Sequence, residues 1–152
     1  MKILVQRVSR ARVSVGEETV GRIGRGVVVF VGVERGDDHR LAEWYARRLA
    51  VLRLFPDDDG GPWRKALPEV GGQALVVSQF TLAARTRRGR RPSFDPAEEP
   101  ERAQELYEAF AARLALEGVP VERGRFGARM EVHLVNDGPV TFLLEGPRGA
   151  DR

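Results

Sequence analysis

The sequence contains no cysteine, only two histidines and no long apolar run. The absence of cysteine from all 152 residues excludes disulfides, thiolate nucleophiles and zinc sites with cysteine ligands. The longest apolar stretch, Val27 to Val33, is far shorter than the roughly 18 residues that a membrane-spanning helix needs. The first residues lack the long apolar segment of a signal peptide. We therefore expect a cytoplasmic protein without membrane contact.

The composition is typical of a globular chain. Hydrophobic residues make up 42% and charged residues 31%, which excludes a disordered chain. A chain of 152 residues is long enough to bury a substantial core, and it is too short for two full domains. We expect a single domain over residues 1–152.

Arginine supplies nearly all of the positive charge. Of the 25 basic residues only Lys2 and Lys65 are lysines, which leaves 23 arginines, yet the formal net charge is only +3. Five arginines fall within seven residues: Arg85, Arg87, Arg88, Arg90 and Arg91. Planar, forked guanidinium groups suit phosphate binding. On these residues alone, both RNA phosphate binding and an ordinary solvated loop remain open.

Several segments have strand patterns. Alternation before and after Gly16-Glu17 predicts a hairpin, and the β-branched run Val27 to Val33 predicts a central strand covered on both faces. Residues 74–82 read as another apolar strand. A last pair of strands is predicted over residues 129–135 and 140–144, joined by a turn at Asn136-Asp137-Gly138-Pro139.

Two helices complete the prediction. The first begins after Asp37 or Asp38 and carries apolar residues at helical spacing. The second runs from Asp95 or Pro100 to Leu116. Seven or eight strands and two helices without regular βαβ alternation predict a mixed α/β, α+β-like fold. Its curved, mainly antiparallel sheets are expected to form a barrel-like core.

The residues alone argue against several familiar sites. Ser78 lacks the Gly-x-Ser-x-Gly elbow, and neither His39 nor His133 sits where a hydrolase triad is expected. The adjacent aspartates of residues 57–59 lack the alternate spacing of a calcium loop. Ser78 and Thr81 therefore remain either local hydroxyls or members of a different kind of site.

Two motifs give a sharper expectation. Ser78-Gln79-Phe80-Thr81-Leu82 and Asn136-Asp137-Gly138-Pro139-Val140-Thr141 resemble the signature motifs of the D-aminoacyl-tRNA deacylases. Four further segments follow in that family's order over essentially the whole chain: Gln6-Arg7-Val8, Gly32-Val33-Glu34, Arg91-Pro92-Ser93-Phe94 and Gly124-Arg125-Phe126-Gly127-Ala128-Arg129-Met130.

This resemblance implies hydrolysis of the ester bond of D-aminoacyl-tRNA without metal, cofactor or covalent intermediate. It implies that Ser78, Gln79, Phe80 and Thr81 line the pocket for the terminal adenosine and the aminoacyl ester. It also implies that Gly138 and Pro139 form a cis peptide whose backbone oxygens exclude L side chains. Further substrate contacts are expected from Asn136, Val140, Thr141, Arg7 and Met130, and phosphate contacts from Arg85, Arg87, Arg88, Arg90 and Arg91.

The resemblance further implies a homodimer with its active sites at the subunit interface. Each pocket is expected to receive the Gly-Pro motif of the other chain. A filter that excludes side chains by clash does not exclude glycine, so glycine mischarged on tRNA(Ala) is a further expected substrate. Two segments depart from the family. Pro62-Trp63-Arg64-Lys65 replaces its usual Met-Asn pair, and Arg85-Thr86-Arg87-Arg88-Gly89-Arg90 is more basic than the family's segment.

Two other functions compete with this prediction. One is a non-catalytic RNA-binding module that uses the arginine cluster, with Phe94 or Trp63 as a stacking surface. The other is a small-molecule esterase with Ser78 or Thr81 as the nucleophile.

Overall fold

The long first strand organises the sheet. The computed structural model describes residues 1–147, in which β1 (Lys2–Val15) is followed by β2 (Glu18–Ile23) and β3 (Gly26–Gly32). One edge of β1 pairs antiparallel with β3 through its first half and with β2 through its second half. The hairpin predicted around Gly16-Glu17 is confirmed, and Gly16 has a φ of +59° in its turn.

The remaining strands close most of the sheet. They are β4 (Arg53–Phe55), β5 (Lys65–Ala66), β6 (Gln73–Ser78), β7 (Val121–Arg123) and β8 (Glu131–Leu143). β3, β6 and β7 pair in parallel, β8 pairs antiparallel with β1, and β4 and β5 form a small antiparallel ribbon. The mixed, nearly closed, barrel-like sheet confirms the predicted fold class.

Two helices, α1 (His39–Val51) and α2 (Pro100–Leu116), cover the sheet. Asp38 caps α1, since its side chain accepts a hydrogen bond from the Leu41 N–H at 2.8 Å. α2 begins at Pro100, the later of the two predicted starts, because proline is well suited to the first turn of a helix. Neither helix is long and apolar enough to cross a membrane, within the described part of the chain.

β3 and β6 are buried on both faces, as predicted for β3. Val27, Val29 and Val31 pack against the helices, whereas Val28 faces the barrel interior. In β6, Val76 faces the helices and Val77 the interior. The Tyr107 hydroxyl on α2 donates to the Val76 carbonyl at 2.7 Å, and burial raises the pKa of that hydroxyl.

Two strand predictions are wrong in their bounds. The strand predicted over residues 74–82 ends at Ser78, because Phe80–Ala83 forms a 3₁₀ turn. The turn predicted at residues 136–139 does not separate two strands, since β8 runs through it. Gln6 pairs with Thr141 and Val8 with Asn136, so Arg7 alone faces residues 137–140. These four residues form a bulge that projects from the ladder.

Candidate active site

A cavity of about 420 Å³ opens where β6 ends. Ser78, Gln79 and Phe80 form one wall, and Met130, just before β8, lies on another with Val132 of β8. The rest of the lining is Val33, Val77, Ala97, Glu98, Pro100, Ala103, Phe126, Gly127 and Ala128. Most of these side chains are apolar, and Glu98 carries the only charge among the described residues that line the cavity.

The local sequence fixes the Ser78-Gln79 wall. The Gln79 N–H donates to the Val31 carbonyl at 2.8 Å, which extends the β3–β6 ladder by one bond. The chain then turns, and the Leu82 N–H donates to the Gln79 carbonyl at 3.2 Å. A Cβ on Gly32 would lie 3.0 Å from that carbonyl oxygen and 2.9 Å from Leu82 Cβ. Glycine at position 32 therefore allows the turn to pack closely against β3.

The side chains at the turn have distinct surroundings. The Gln79 side-chain amide donates to the Thr81 hydroxyl. An amide does not take up a proton at neutral pH, so this contact orients Thr81 without activating it as a nucleophile. The Phe80 ring is 55% exposed and lies edge-on to Phe94, with centroids 5.1 Å apart. Phe80 therefore offers an open aromatic surface at the mouth of the cavity.

The second motif lies in the bulge of β8. The Asn136 side-chain amide donates to the Arg7 carbonyl at 2.9 Å and to the Val140 carbonyl at 3.3 Å. The Gly138–Pro139 peptide bond is cis, as predicted. Gln6 donates from its side-chain amide to the Thr141 hydroxyl at 3.2 Å. Asn136, Val140 and Thr141 are thus grouped around Gly138 and Pro139.

Arg7 holds this bulge against the rest of the chain. Its Nη1 donates to the Leu54 carbonyl at 2.7 Å, and its Nε donates to the Asp137 carbonyl at 3.1 Å. The same Nε lies 3.1 Å from Asp137 Oδ2. The guanidinium also stacks over Phe55, 5.8 Å from the ring centroid. With only 15% of its side chain exposed, Arg7 is a fixed strut between β4 and the bulge.

The two motifs do not meet within one chain. None of residues 136–141 lines the cavity, although Met130 does. The order β8, β1, β3, β6 separates the bulge from Ser78 by three strand spacings, roughly 14 Å along the sheet. The structure therefore brings Ser78, Gln79, Phe80 and Met130 together in one cluster, and Arg7, Asn136, Gly138, Pro139, Val140 and Thr141 in another.

Comparison with known proteins identifies the family to which this chain belongs. A sequence profile described as D-Tyr-tRNA(Tyr) deacylase matches residues 4–145. The D-aminoacyl-tRNA deacylase of Symbiobacterium thermophilum is 52% identical over 148 residues, which covers 97% of each chain. That of Geobacter sp. strain M21 is 54% identical over 147 residues, covering 97% of this chain and 98% of its own. The chain belongs to the D-Tyr-tRNA(Tyr) deacylase family.

Two solved structures share the fold of this chain. The c-Myc DNA Unwinding Element Binding Protein is 41% identical, with a TM-score of 0.91 over 97% of this chain and all of its own. A probable eukaryotic D-amino acid tRNA deacylase shares the fold at 18% identity, with a TM-score of 0.80 over 94% of this chain and 97% of its own. The family resemblance and the deacylase enzyme class predicted from the sequence are confirmed.

The arginine cluster of this deacylase-family chain lies on a loop that leads away from the Thr81 turn. Arg85 and Ser93 close the loop through paired backbone hydrogen bonds of 2.8 and 3.0 Å. Arg85, Arg87, Arg88, Arg90 and Arg91 are all exposed. The loop returns at Phe94, beside Phe80 and the mouth of the cavity. This placement allows phosphate contacts, while the exposure alone fits a solvated loop equally well.

Sequence reasoning missed part of the cavity wall. Phe126 and Ala128 lie within a motif that matched the deacylase family, but no role followed from it. Val132 could have been found, since residues alternate along the strand predicted over residues 129–135 and Met130 is expected in the site. Glu98 had no signal in the sequence, because only the tertiary fold brings it beside β6.

Both histidines lie outside the cavity, as their sequence context predicted. His39 Nε2 lies 2.6 Å from Glu105 Oε1, and His133 Nε2 lies 3.5 Å from Glu131 Oε2. Arg102 and then His39 hold the pKa of the exposed Glu105 carboxyl below its usual range. Neither histidine is within the wall that contains Ser78 and Gln79.

Arg7→Lys should loosen the bulge while keeping the positive charge. A lysine has no rigid fork, so it cannot reach the Leu54 and Asp137 carbonyls in the same way. We expect the free energy of unfolding to fall by about 1–2 kcal/mol, measured by denaturant titration. The backbone amides of Asp137, Gly138, Val140 and Thr141 should also exchange hydrogen faster. Arg40→Lys, on an exposed part of α1, is the matched control. Equal hydrogen exchange in both variants would contradict the role of Arg7 in holding the bulge.

Proposed function

We propose that this chain hydrolyses the ester bond of D-aminoacyl-tRNA, releasing the free D-amino acid and tRNA. The observation that carries the proposal is the position of Ser78-Gln79-Phe80 on the wall of a largely apolar cavity. This motif stands in a chain that matches the deacylase family over residues 4–145. The cavity would take the aminoacyl group, and Phe80 would lie against the terminal adenosine.

The proposed chemistry uses positioning rather than a triad. An aminoacyl ester is already activated, so a held water and stabilisation of the developing oxyanion are sufficient. The first main-chain N–H groups of the Phe80–Ala83 turn would supply that stabilisation, and Ser78 and Gln79 would orient the ester. Thr81 would position the substrate through its contact with Gln79.

We further propose that the Gly138-Pro139 bulge of one subunit enters the cavity of the other in a homodimer. Asp137, Gly138 and Pro139 of the bulge are exposed, and the bulge lies away from the cavity of its own chain. Among the described strands, β8 pairs only with β1, so its 13 residues leave one edge free. A free edge is a surface on which another chain can pair. Leu143, 58% exposed on β8, adds apolar area there.

The proposed filter works by clash. Main-chain oxygens at Gly138 and Pro139 would meet an L side chain and leave room for a D side chain, which is discrimination against the wrong ester. Glycine has no side chain to reject, so glycine mischarged on tRNA(Ala) would also be cleaved. The exposed Arg85, Arg87, Arg88, Arg90 and Arg91 would contact phosphates near the acceptor end without reading bases.

Rates on D-Tyr-tRNA and L-Tyr-tRNA test the proposed function. Turnover of the D ester alone is the expected result. Binding without turnover would instead indicate an RNA-binding module. Cleavage of simple esters regardless of tRNA would indicate a small-molecule esterase.

Gly138→Ala should remove activity on the D ester. An added Cβ would lie 2.7 Å from Asn136 Oδ1 and 3.1 Å from the Val140 nitrogen. Asn136 is held by two hydrogen bonds, so the bulge must shift. We expect kcat/KM on D-Tyr-tRNA to fall at least tenfold, a barrier change of about 1.4 kcal/mol or more.

The control for this substitution is Gly24→Ala. Its added Cβ meets nothing closer than Gln73 Oε1 at 3.6 Å. Circular dichroism and light scattering should show both variants folded and with unchanged mass. Wild-type rates for Gly138→Ala would show that the bulge has no part in the reaction.

Thr81→Ala should retain measurable deacylation. Its hydroxyl accepts from an amide that does not serve as a base, so it is a poor nucleophile. The expected loss is tenfold to a hundredfold in kcat, about 1.4–2.7 kcal/mol. Single-turnover kinetics give the rate, and mass spectrometry of quenched reactions tests for an acyl-threonine. Detection of that adduct would overturn the assignment.

Mixed dimers test whether two subunits share each site. Ser78→Phe would fill the cavity of its own chain, whereas Gly138→Ala would disturb the filter that it offers to the other chain. Random pairing of equal amounts makes about half of the dimers mixed, each with one intact site, so about a quarter of wild-type activity should return. If each site lies within one chain, the mixture stays as inactive as the two variants alone.

A further inference from the structure

A cluster of basic side chains outside the cavity is unexplained by the proposed chemistry. We call it the cationic face, and it consists of Arg10, Arg12, Arg22 and His133. These residues line a shallow concavity of about 410 Å³ on the outer surface of the sheet. Their strand neighbours Ala11, Val13 and Ile23 are buried in the barrel interior, so the four side chains alternate outward.

The strand register places the basic side chains of the cationic face side by side. Arg12 on β1 lies directly opposite Arg22 on β2 and directly opposite His133 on β8. Arg10 follows on the same face, two residues along β1. Like charges directly opposite each other across strands are destabilising. The two opposed arginines therefore cost stability in the free protein.

Acidic neighbours do not compensate this repulsion. Within residues 1–147, no carboxylate lies within ion-pair distance of Arg10, Arg12 or Arg22. Glu18, at the start of β2, pairs instead with Arg125 at 3.1 Å. Glu131 lies 3.5 Å from His133 alone. The guanidinium donors of the face remain open to an external anion.

We propose that the cationic face binds the phosphodiester backbone of the tRNA body, at a distance from the aminoacyl end. This inference rests on the proposed function, which supplies the RNA. Neighbouring strands place these side chains about 5 Å apart, so the row across three strands is about 10 Å wide. A row of that width fits two neighbouring phosphates of one strand better than a single small anion. Forked guanidinium groups suit each of them.

The position of the face favours an extended ligand. Val132 lines the cavity, and His133, the next residue, points to the opposite side of β8. A ligand that touches both must continue around the strand, as the body of a tRNA can and an aminoacyl-adenosine cannot. A contact between two copies of this face would be a poor alternative, because it would set arginines against arginines and like charges across an interface repel.

The test is the double variant Arg12→Gln, Arg22→Gln. The matched control, Arg40→Gln with Arg48→Gln on α1, changes the net charge equally on an exposed helix. Affinity for uncharged tRNA is measured at several salt concentrations. The double variant should bind about tenfold more weakly, with a slope of log affinity against log salt reduced by about 1.4–1.8 units. The control pair should stay close to wild type.

Kinetics separate this inference from the proposed function. The double variant should cleave a D-tyrosyl ester of adenosine at the wild-type rate and D-Tyr-tRNA more slowly. Wild-type tRNA affinity and salt slope would overturn the inference, as would an equal loss in the control pair or a change in the mass of the assembly. If wild-type protein cleaves neither ester, the proposed function fails, while the binding measurement still decides the role of the face.

Discussion

Burial of β3 and β6 on both faces is the constraint on which the site depends. Val27, Val28 and Val29 are fully buried, as are all residues from Ala74 to Val77. Strands held in this way cannot shift register without moving apolar groups from one layer to the other. The end of β6 is therefore fixed, and Ser78 and Gln79 emerge at one defined edge of the sheet. A Cβ on Gly26 would lie 1.8 Å from the Gln73 carbonyl oxygen, which shows how closely the two strands meet.

The bulge of β8 is fixed in a different way. Of its four residues only Val140 is buried, so apolar packing holds just one end of it. Arg7 and Asn136 instead bind its main-chain oxygens, and both also bind backbone outside the bulge or at its base. Main chain held by several hydrogen bonds offers a stiffer surface than a side chain with free rotamers. This stiffness is what the proposed rejection of L esters by clash requires.

The predictable parts of the fold are those that local pattern determines. The buried stripe of α1, its Asp38 cap and the hairpin at Gly16 follow from periodicity and turn chemistry. The strand end at Ser78 does not, because Phe80 and Leu82 continue an apolar pattern while the backbone turns against Gly32. The bulge at Gly138 is likewise hidden, since glycine and proline usually indicate a turn, whereas here β1 pairs with residues on both sides.

The candidate site was predicted by motif and not by geometry. The family resemblance places Ser78 and Gly138 in one site. Within one chain the two residues lie three strands apart in the sheet, and only the order of the four strands shows this separation. Glu98 and Phe126 reach the cavity wall from segments with no local pattern that points to it. Such residues are fixed by tertiary packing, so no window of sequence contains the information.

Arginine has two opposite uses in this chain, and the net charge of +3 describes neither. Arg7 has its donors engaged by carbonyl oxygens, so its guanidinium stiffens the protein and has little left to offer a ligand. Arg12 faces Arg22, and within residues 1–147 neither forms an ion pair, so those guanidinium groups weaken the free fold and keep their donors available. Surface ion pairs contribute little to stability, and their absence here costs little beyond the repulsion itself. An arginine can therefore bind an external phosphate only where its donors are not already engaged within the protein. The number of basic residues in the sequence does not show which arginines these are.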